Sequence, residues 1–124
     1  MPTFISARET ETRDAHGKKY AFIPLAGRLD EKNLIAFSEQ VEPLLEGEHN
    51  YLILDLGEIE LVSSHAMSYL EGLHHKMNAV EKRLAFVNAN EEIRDILEFI
   101  GLAKLIESFS AEEKFVEAVR RGQI

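Results

Sequence analysis

Ser63 and Ser64 stand where a greasy pair, Leu61 and Val62, runs into a helical pattern; residues 60–73 read "ELVSSHAMSYLEGL". Two hydroxyls at such a junction have an ordinary use. A serine oxygen caps the free N–H groups of the first helical turn and contributes about 1 kcal/mol over alanine. The same place also suits a switch. Free N–H groups and the positive end of the helix dipole tolerate a phosphate without unfolding, while its charge of roughly −2 repels an acidic or apolar partner. Nucleophilic catalysis is the third use of a serine at a strand-to-helix turn. "VSSHAM" lacks the G-x-S-x-G glycines that such a strained elbow needs, and His65 is too near in sequence to be taken as its base.

The remaining reactive side chains point to no catalytic centre. His65, His74 and His75 invite a metal, but adjacent helical residues project about 100° apart, so His74 and His75 do not readily share one. No H-E-x-x-H spacing and no glycine-rich phosphate loop is present, so no metal, nucleotide or other cofactor is expected. There is no cysteine, which removes disulfides and thiolate chemistry. Asp30 reads as a helix N-cap. Asp55 ends an apolar run and faces the strand edge where sites gather in open α/β sheets. Glu58, Glu60, Glu91 and Glu92 read as solvated loop and helix-start charges.

The chain has 124 residues, 45% of them hydrophobic, which fits one domain over residues 1–124 with its own core. Twenty-two acids against 14 bases leave a net charge of −8. Lys18-Lys19 and Arg120-Arg121 are small, separated basic pairs, so no nucleic-acid binding is expected. The N-terminus "MPTFISARETETRD" has no signal pattern, and no apolar run approaches the roughly 20 residues of a membrane span. The expectation is a cytoplasmic protein with no direct membrane insertion.

Periodicity supplies the elements that must position the serines. "TFISARET" and "KYAFIPLAG" read as two strands joined by the polar link "RDAHGK", with Pro24 marking an edge or bulge. Leu34, Phe37, Val41, Leu44 and Leu45 form one helical stripe that Pro43 should shorten. "YLILDLG", residues 51–57, reads as a nearly continuous apolar run, and a central strand buried on both faces is expected over residues 50–56. Ala66, Leu70, Leu73, Met77 and Val80 then share a helix face. "RLAFVNA" is the next strand. Asn90 caps a helix with Ile93, Ile96, Leu97 and Ile100 inward, ended by Gly101. "KLIESF" reads as the last strand. Ser110 and Glu113 fit a capping box for a final helix that turns Phe115, Val116 and Val119 inward. The order β-β-α-β-α-β-α-β-α predicts an α/β fold: a mostly parallel sheet of four or five strands, an N-terminal hairpin and about four helices. Strand order is left open by the pattern.

Four stretches in this order resemble the STAS domain, as in bacterial anti-sigma factor antagonists. "LAGRLD" is similar to the family's G-x-L-D at the end of its second strand. "YLILDLGEIELVSSHAM" is similar to its central strand, loop and D-S-S-G-L helix start. "RLAFVNANEEIRDILEFIGL" and "KLIESFSAEEKFVEAV" resemble its last two strand–helix units. The resemblance covers nearly the whole chain. It implies a non-catalytic regulatory module whose partners are an anti-sigma factor or serine kinase of the ATPase type, and a phosphatase. Ser63 matches the phosphorylated serine and Ser64 its neighbour. Val62 stands where the family has Asp, and His65 where it has Gly. Glycine permits close backbone approach that His does not, so phosphorylation by a family-type kinase is expected to be slow or absent unless the kinase is specialised for this site.

The expected partner surface joins Ser63, Ser64, His65, Met67, Ser68 and Glu71, with Asp30 beside the loop. Met67 sits off the apolar stripe, where a greasy residue among polar ones suits a contact patch. Two rivals remain. One is a constitutive STAS subunit of a larger assembly such as a lipid-transport ATPase; the other is a small serine hydrolase. The partner's identity and the oligomeric state are not legible.

Overall fold

Successive strand residues point to opposite faces, and the apolar runs of this chain fill both. Tyr20 and Phe22 enter one core and Ala21, Ile23 and Leu25 the other; Tyr51 and Ile53 part in the same way from Leu52, Leu54 and Leu56. Such strands must be covered on both sides. A computed structural model, which describes residues 10–124, shows how. The elements are β1 (Glu11–Ala15), β2 (Lys18–Leu29), α1 (Leu34–Val41), β3 (Tyr51–Val62), α2 (Ser64–Ala79), β4 (Arg83–Val87), α3 (Glu91–Phe99), β5 (Glu107–Phe109) and α4 (Glu112–Arg120). The five strands lie side by side in chain order, antiparallel at the β1–β2 hairpin and parallel elsewhere. This is the α/β class read from the pattern, with β3 at the centre.

Chain-order strands joined by right-handed crossovers send their connecting helices to one face. Phe37 and Val41 of α1, Leu70 and Leu73 of α2, and Ile93 and Leu97 of α3 accordingly share a core with Leu52 and Leu54. Helix α4 is not a crossover. It covers the opposite face, where Phe115 and Val119 pack on Tyr20, Phe22, Tyr51 and Ile53. A carboxylate ties it down: Glu112 accepts from Arg13 Nη1 at 2.6 and 2.7 Å and from the Tyr20 hydroxyl at 2.6 Å. Arg13 also lies 4.1 Å over the Phe22 ring. Burial, then the bond to Glu112, pushes the Tyr20 hydroxyl well above the usual phenol range.

Several local expectations are corrected. The strand expected over residues 3–10 falls almost wholly outside the described residues. The hairpin link is shorter than "RDAHGK", because Arg13 to Ala15 already pair with β2. The turn proper is His16-Gly17, with φ of 51° and 88°, the left-handed pair that tight hairpins favour. Pro24 marks a register shift in β2, as its missing N–H requires. Asp30 is not the helix cap: its carboxylate accepts from Lys32 N at 3.0 Å, and Asn33 takes the N-cap position before Leu34. Asp satisfied in its own local turn delays the helix by one turn. Helix α1 stops at Val41 and continues as a 3-10 turn over Glu42–Glu46, with Pro43 in its first positions.

Strand β3 overruns its expected end by six residues, to Val62, because its second half pairs with the end of β2. Val80 is half-exposed because it caps α2 outside helical geometry. Ile96 and Ile100 flank the Ile93–Leu97 stripe and are exposed. "KLIESF" is a strand only over Glu107–Phe109, its beginning being taken by a 3-10 turn over Leu102–Lys104. Ser110 forms no capping box: Ala111 is the N-cap of α4, without a side-chain hydrogen bond.

Candidate functional site

Leu29 and Val62 are register partners at the ends of β2 and β3, and Ser63 N donates to Leu29 O at 2.9 Å. This pairing brings "GRLD" and the serine loop together. Ser63 has extended backbone angles, φ −74° and ψ 165°, and its Oγ accepts from Ala66 N at 3.1 Å. That is N-cap geometry, so the capping role is occupied. Val62, in the position before it, is 8% exposed and belongs to the core under the helices. Ser64 and His65 follow, exposed, on the first turn of α2. His65 Nδ1 lies 3.8 Å from Glu31 Oε2, both largely solvated, a pair that contributes little to stability.

Ser64, Met67, Ser68 and Glu71 line one wall of a groove of about 510 Å³. Its far wall is Ile100, Gly101, Leu102, Lys104 and Leu105, the exit of α3 and the turn after it. Four of the residues expected to meet a partner therefore share one surface, with Ser63 next to Ser64 at its end. Met67 does both things considered for it: it is half-buried against the core and it lines the groove. Asp30 and His65 lie outside the lining, and the Asp30 carboxylate is turned to the Lys32 backbone. The far wall was not read from the sequence. Its signal was "FIGLAKLI", more apolar residues around a glycine stop than a three-residue strand can absorb.

The STAS domain family model matches residues 8–115. The chain belongs to the STAS domain family. Solved structures agree on the fold. An anti-sigma factor antagonist from Mycobacterium paratuberculosis is 20% identical at a TM-score of 0.75, over 97% of each chain. The anti-sigma factor antagonist SpoIIAA in its unphosphorylated form is 18% identical at a TM-score of 0.71, over 91% of this chain and 97% of that one. SpoIIAA of Bacillus in its phosphorylated form is also 18% identical, at a TM-score of 0.64, over 90% and 100%. No curated protein sequence matches the chain.

His74 and His75 stack edge to face at 5.1 Å, and among the described residues no group of three or more His, Asp or Glu gathers as a metal site. Neither serine hydroxyl is hydrogen-bonded to a histidine among the described residues. Among those residues, too, no helix is long and apolar enough to cross a membrane.

Burial, then His75 and Arg83, holds His74 below its ordinary value of 6.5. Burial, then Lys82 and Lys19, does the same to His49. The fold thus favours the neutral imidazoles. Their contribution to stability is complete above pH 6.5 and is lost as pH falls below it through the depressed folded values. The melting temperature is expected to drop as pH falls below 6.5, and His74→Gln should flatten that slope. Differential scanning calorimetry across this range checks it; an unchanged slope in the variant contradicts it.

Proposed function

We propose that this STAS domain is a non-catalytic regulatory binding module of the anti-sigma factor antagonist kind, acting in the cytoplasm. Its partner is an anti-sigma factor or serine kinase of the ATPase type, and a phosphatase reverses its modification. Ser63 is the phospho-acceptor, and Ser64, Met67, Ser68 and Glu71 carry the contact. The observation that carries the reading is Ser63 at the head of α2, hydroxyl on the first helical turn, beside a groove whose floor is apolar. SpoIIAA, with the same fold, is known in unphosphorylated and phosphorylated forms, which supports control by phosphorylation on this fold. A phosphate here meets the open N–H groups of the first turn, so the effect of modification falls on binding rather than on folding.

His65 governs the rate of modification. It occupies the second helical position after Ser63, where the resemblance places glycine, and its ring is exposed, with Nδ1 3.8 Å from Glu31 Oε2. His65→Gly is expected to be phosphorylated faster than wild type by a serine kinase of this class, followed by mass spectrometry of the Ser63 peptide. Val62→Asp is a poor companion, because Val62 is buried and a charge there costs several kcal/mol or shifts the loop. Equal rates for wild type and His65→Gly, or phosphate on another residue, would remove this role. Capture of a purified anti-sigma factor by the unmodified protein tests the reading as a whole; capture of a transport ATPase in its place would favour the constitutive-subunit alternative.

A further inference from the structure

Asn33 is a polar side chain held out of solvent, only 6% exposed. Asparagine is among the best helix caps, and Asn33 occupies the N-cap position of α1, yet its side chain makes no capping bond to that helix. It turns back onto the segment that leaves β2. Its Oδ1 accepts from Asp30 N at 3.0 Å, and its Nδ2 donates to Arg28 O at 2.6 Å. The amide therefore brackets Leu29. Leu29 is buried in turn, and its carbonyl is the acceptor for Ser63 N at 2.9 Å. A buried amide bonded at both ends fixes the backbone between its partners, because breaking either bond strands a polar group away from water.

Strand pairing alone does not supply this precision. The β2–β3 ladder shifts register after Pro24 and again between Gly27 and Arg28, so the pairs Arg28–Leu61 and Leu29–Val62 stand apart from the regular ladder. The turn that Asn33 closes makes up for it. Asn33 N donates to Asp30 O at 3.2 Å and Lys32 N to the Asp30 carboxylate at 3.0 Å, which ties residues 30–33 into one unit. Glu31, within that unit, carries the carboxylate beside His65, so the turn meets the serine loop at two places. We propose that Asn33 is a positioning residue for the phospho-acceptor: through the Leu29 carbonyl it sets where Ser63 stands at the head of α2, and so how its hydroxyl is presented. A displacement of about 1 Å at a reacting group costs on the order of 100-fold in rate. The role in modification rests on the binding-module reading; the hold of Asn33 on Ser63 does not.

The first readout needs no partner: amide hydrogen exchange of Asn33→Ala, followed by NMR. Ser63 N should exchange about tenfold faster than in wild type. Ile93 N, the capped amide at the head of α3, should stay within about threefold, which separates a local release from a general loss of stability. Asn33→Asp keeps the side-chain volume and an acceptor oxygen and removes the donor to Arg28 O. It should raise Ser63 exchange with the same selectivity, and it carries the test if the alanine variant does not fold. The second readout is phosphorylation of Ser63 by a serine kinase of the ATPase type. The kcat should fall about tenfold with KM within about threefold, the pattern of a nucleophile bound normally but presented badly. Unchanged Ser63 exchange, or a rise that Ile93 shares, would overturn the inference whatever the kinase does. So would a kcat that stays at the wild-type value. No phosphate on Ser63 of the wild type, with Ser63 exchange still raised selectively by Asn33→Ala, would remove the phospho-acceptor reading and uphold the hold of Asn33 on Ser63.

Discussion

Phe115→Ala is expected to destabilise the fold by about 3–5 kcal/mol, the largest effect of any single change considered. Phe115 is fully buried and is the hub of the α4 face. Its ring meets Tyr20 at 5.0 Å, Tyr51 at 5.1 Å and Phe109 at 5.9 Å, each edge to face. Truncation removes the transfer free energy of the ring, leaves a cavity and deletes aromatic contacts that contribute about 0.5–1.5 kcal/mol each. The face cannot collapse to refill the space, because among the described residues α4 is its only helix and Glu112 is pinned by Arg13 and Tyr20. Against a total stability of about 5–15 kcal/mol, this is a large share. Urea unfolding should show a lower midpoint at an unchanged slope; a loss below about 1 kcal/mol would contradict the packing described. The groove lies on the opposite face, so the fraction that stays folded should bind its partner normally.

Ser63→Asp is expected to weaken partner binding at least about tenfold while the protein stays folded. The Ser63 oxygen caps α2 through Ala66 N, and aspartate supplies a capping oxygen of its own with a charge the helix dipole favours. Thermal melts should therefore place Ser63→Asp close to wild type and Ser63→Ala about 1 kcal/mol below it. Binding should rank the other way. Alanine leaves the contact uncharged, whereas aspartate forces a carboxylate beside Ser64 and Met67 to lose its water when the partner closes on them. The two variants thus separate stability from recognition at one atom position.

The architecture was legible because it rests on repetition. Alternating residues 20–25 and 51–56, and helical stripes such as Leu70–Leu73–Met77, each specify an element and the face it buries. Gly101 and Asn90 did their expected work at the ends of α3, with φ of 83° at Gly101 and Ile93 N donating to Asn90 at 2.8 Å. What failed was local competition at the ends. Asp30 and Ser110 had capping chemistry, but one was satisfied by Lys32 N and the other was displaced by Ala111. Half of the groove was illegible for a different reason. Ile100 and Leu105 carry the hydrophobicity of core residues, and only the three-dimensional position of α3 shows that the sheet leaves them uncovered. The α2 wall, in contrast, could be read from Ser63 onward, because a polar first turn with Met67 off the apolar stripe is visible in one dimension.

The most direct test of the account is a calorimetric titration of Ser63→Ala and Ser63→Asp against the same purified anti-sigma factor, with both variants first shown to be folded by circular dichroism. The account predicts that the alanine variant keeps the affinity of the wild type and that the aspartate variant loses at least about 1.4 kcal/mol, a factor of ten. Equal affinity of the two folded variants would contradict it, because charge at Ser63 would then not govern binding, and a constitutive subunit would describe the protein better.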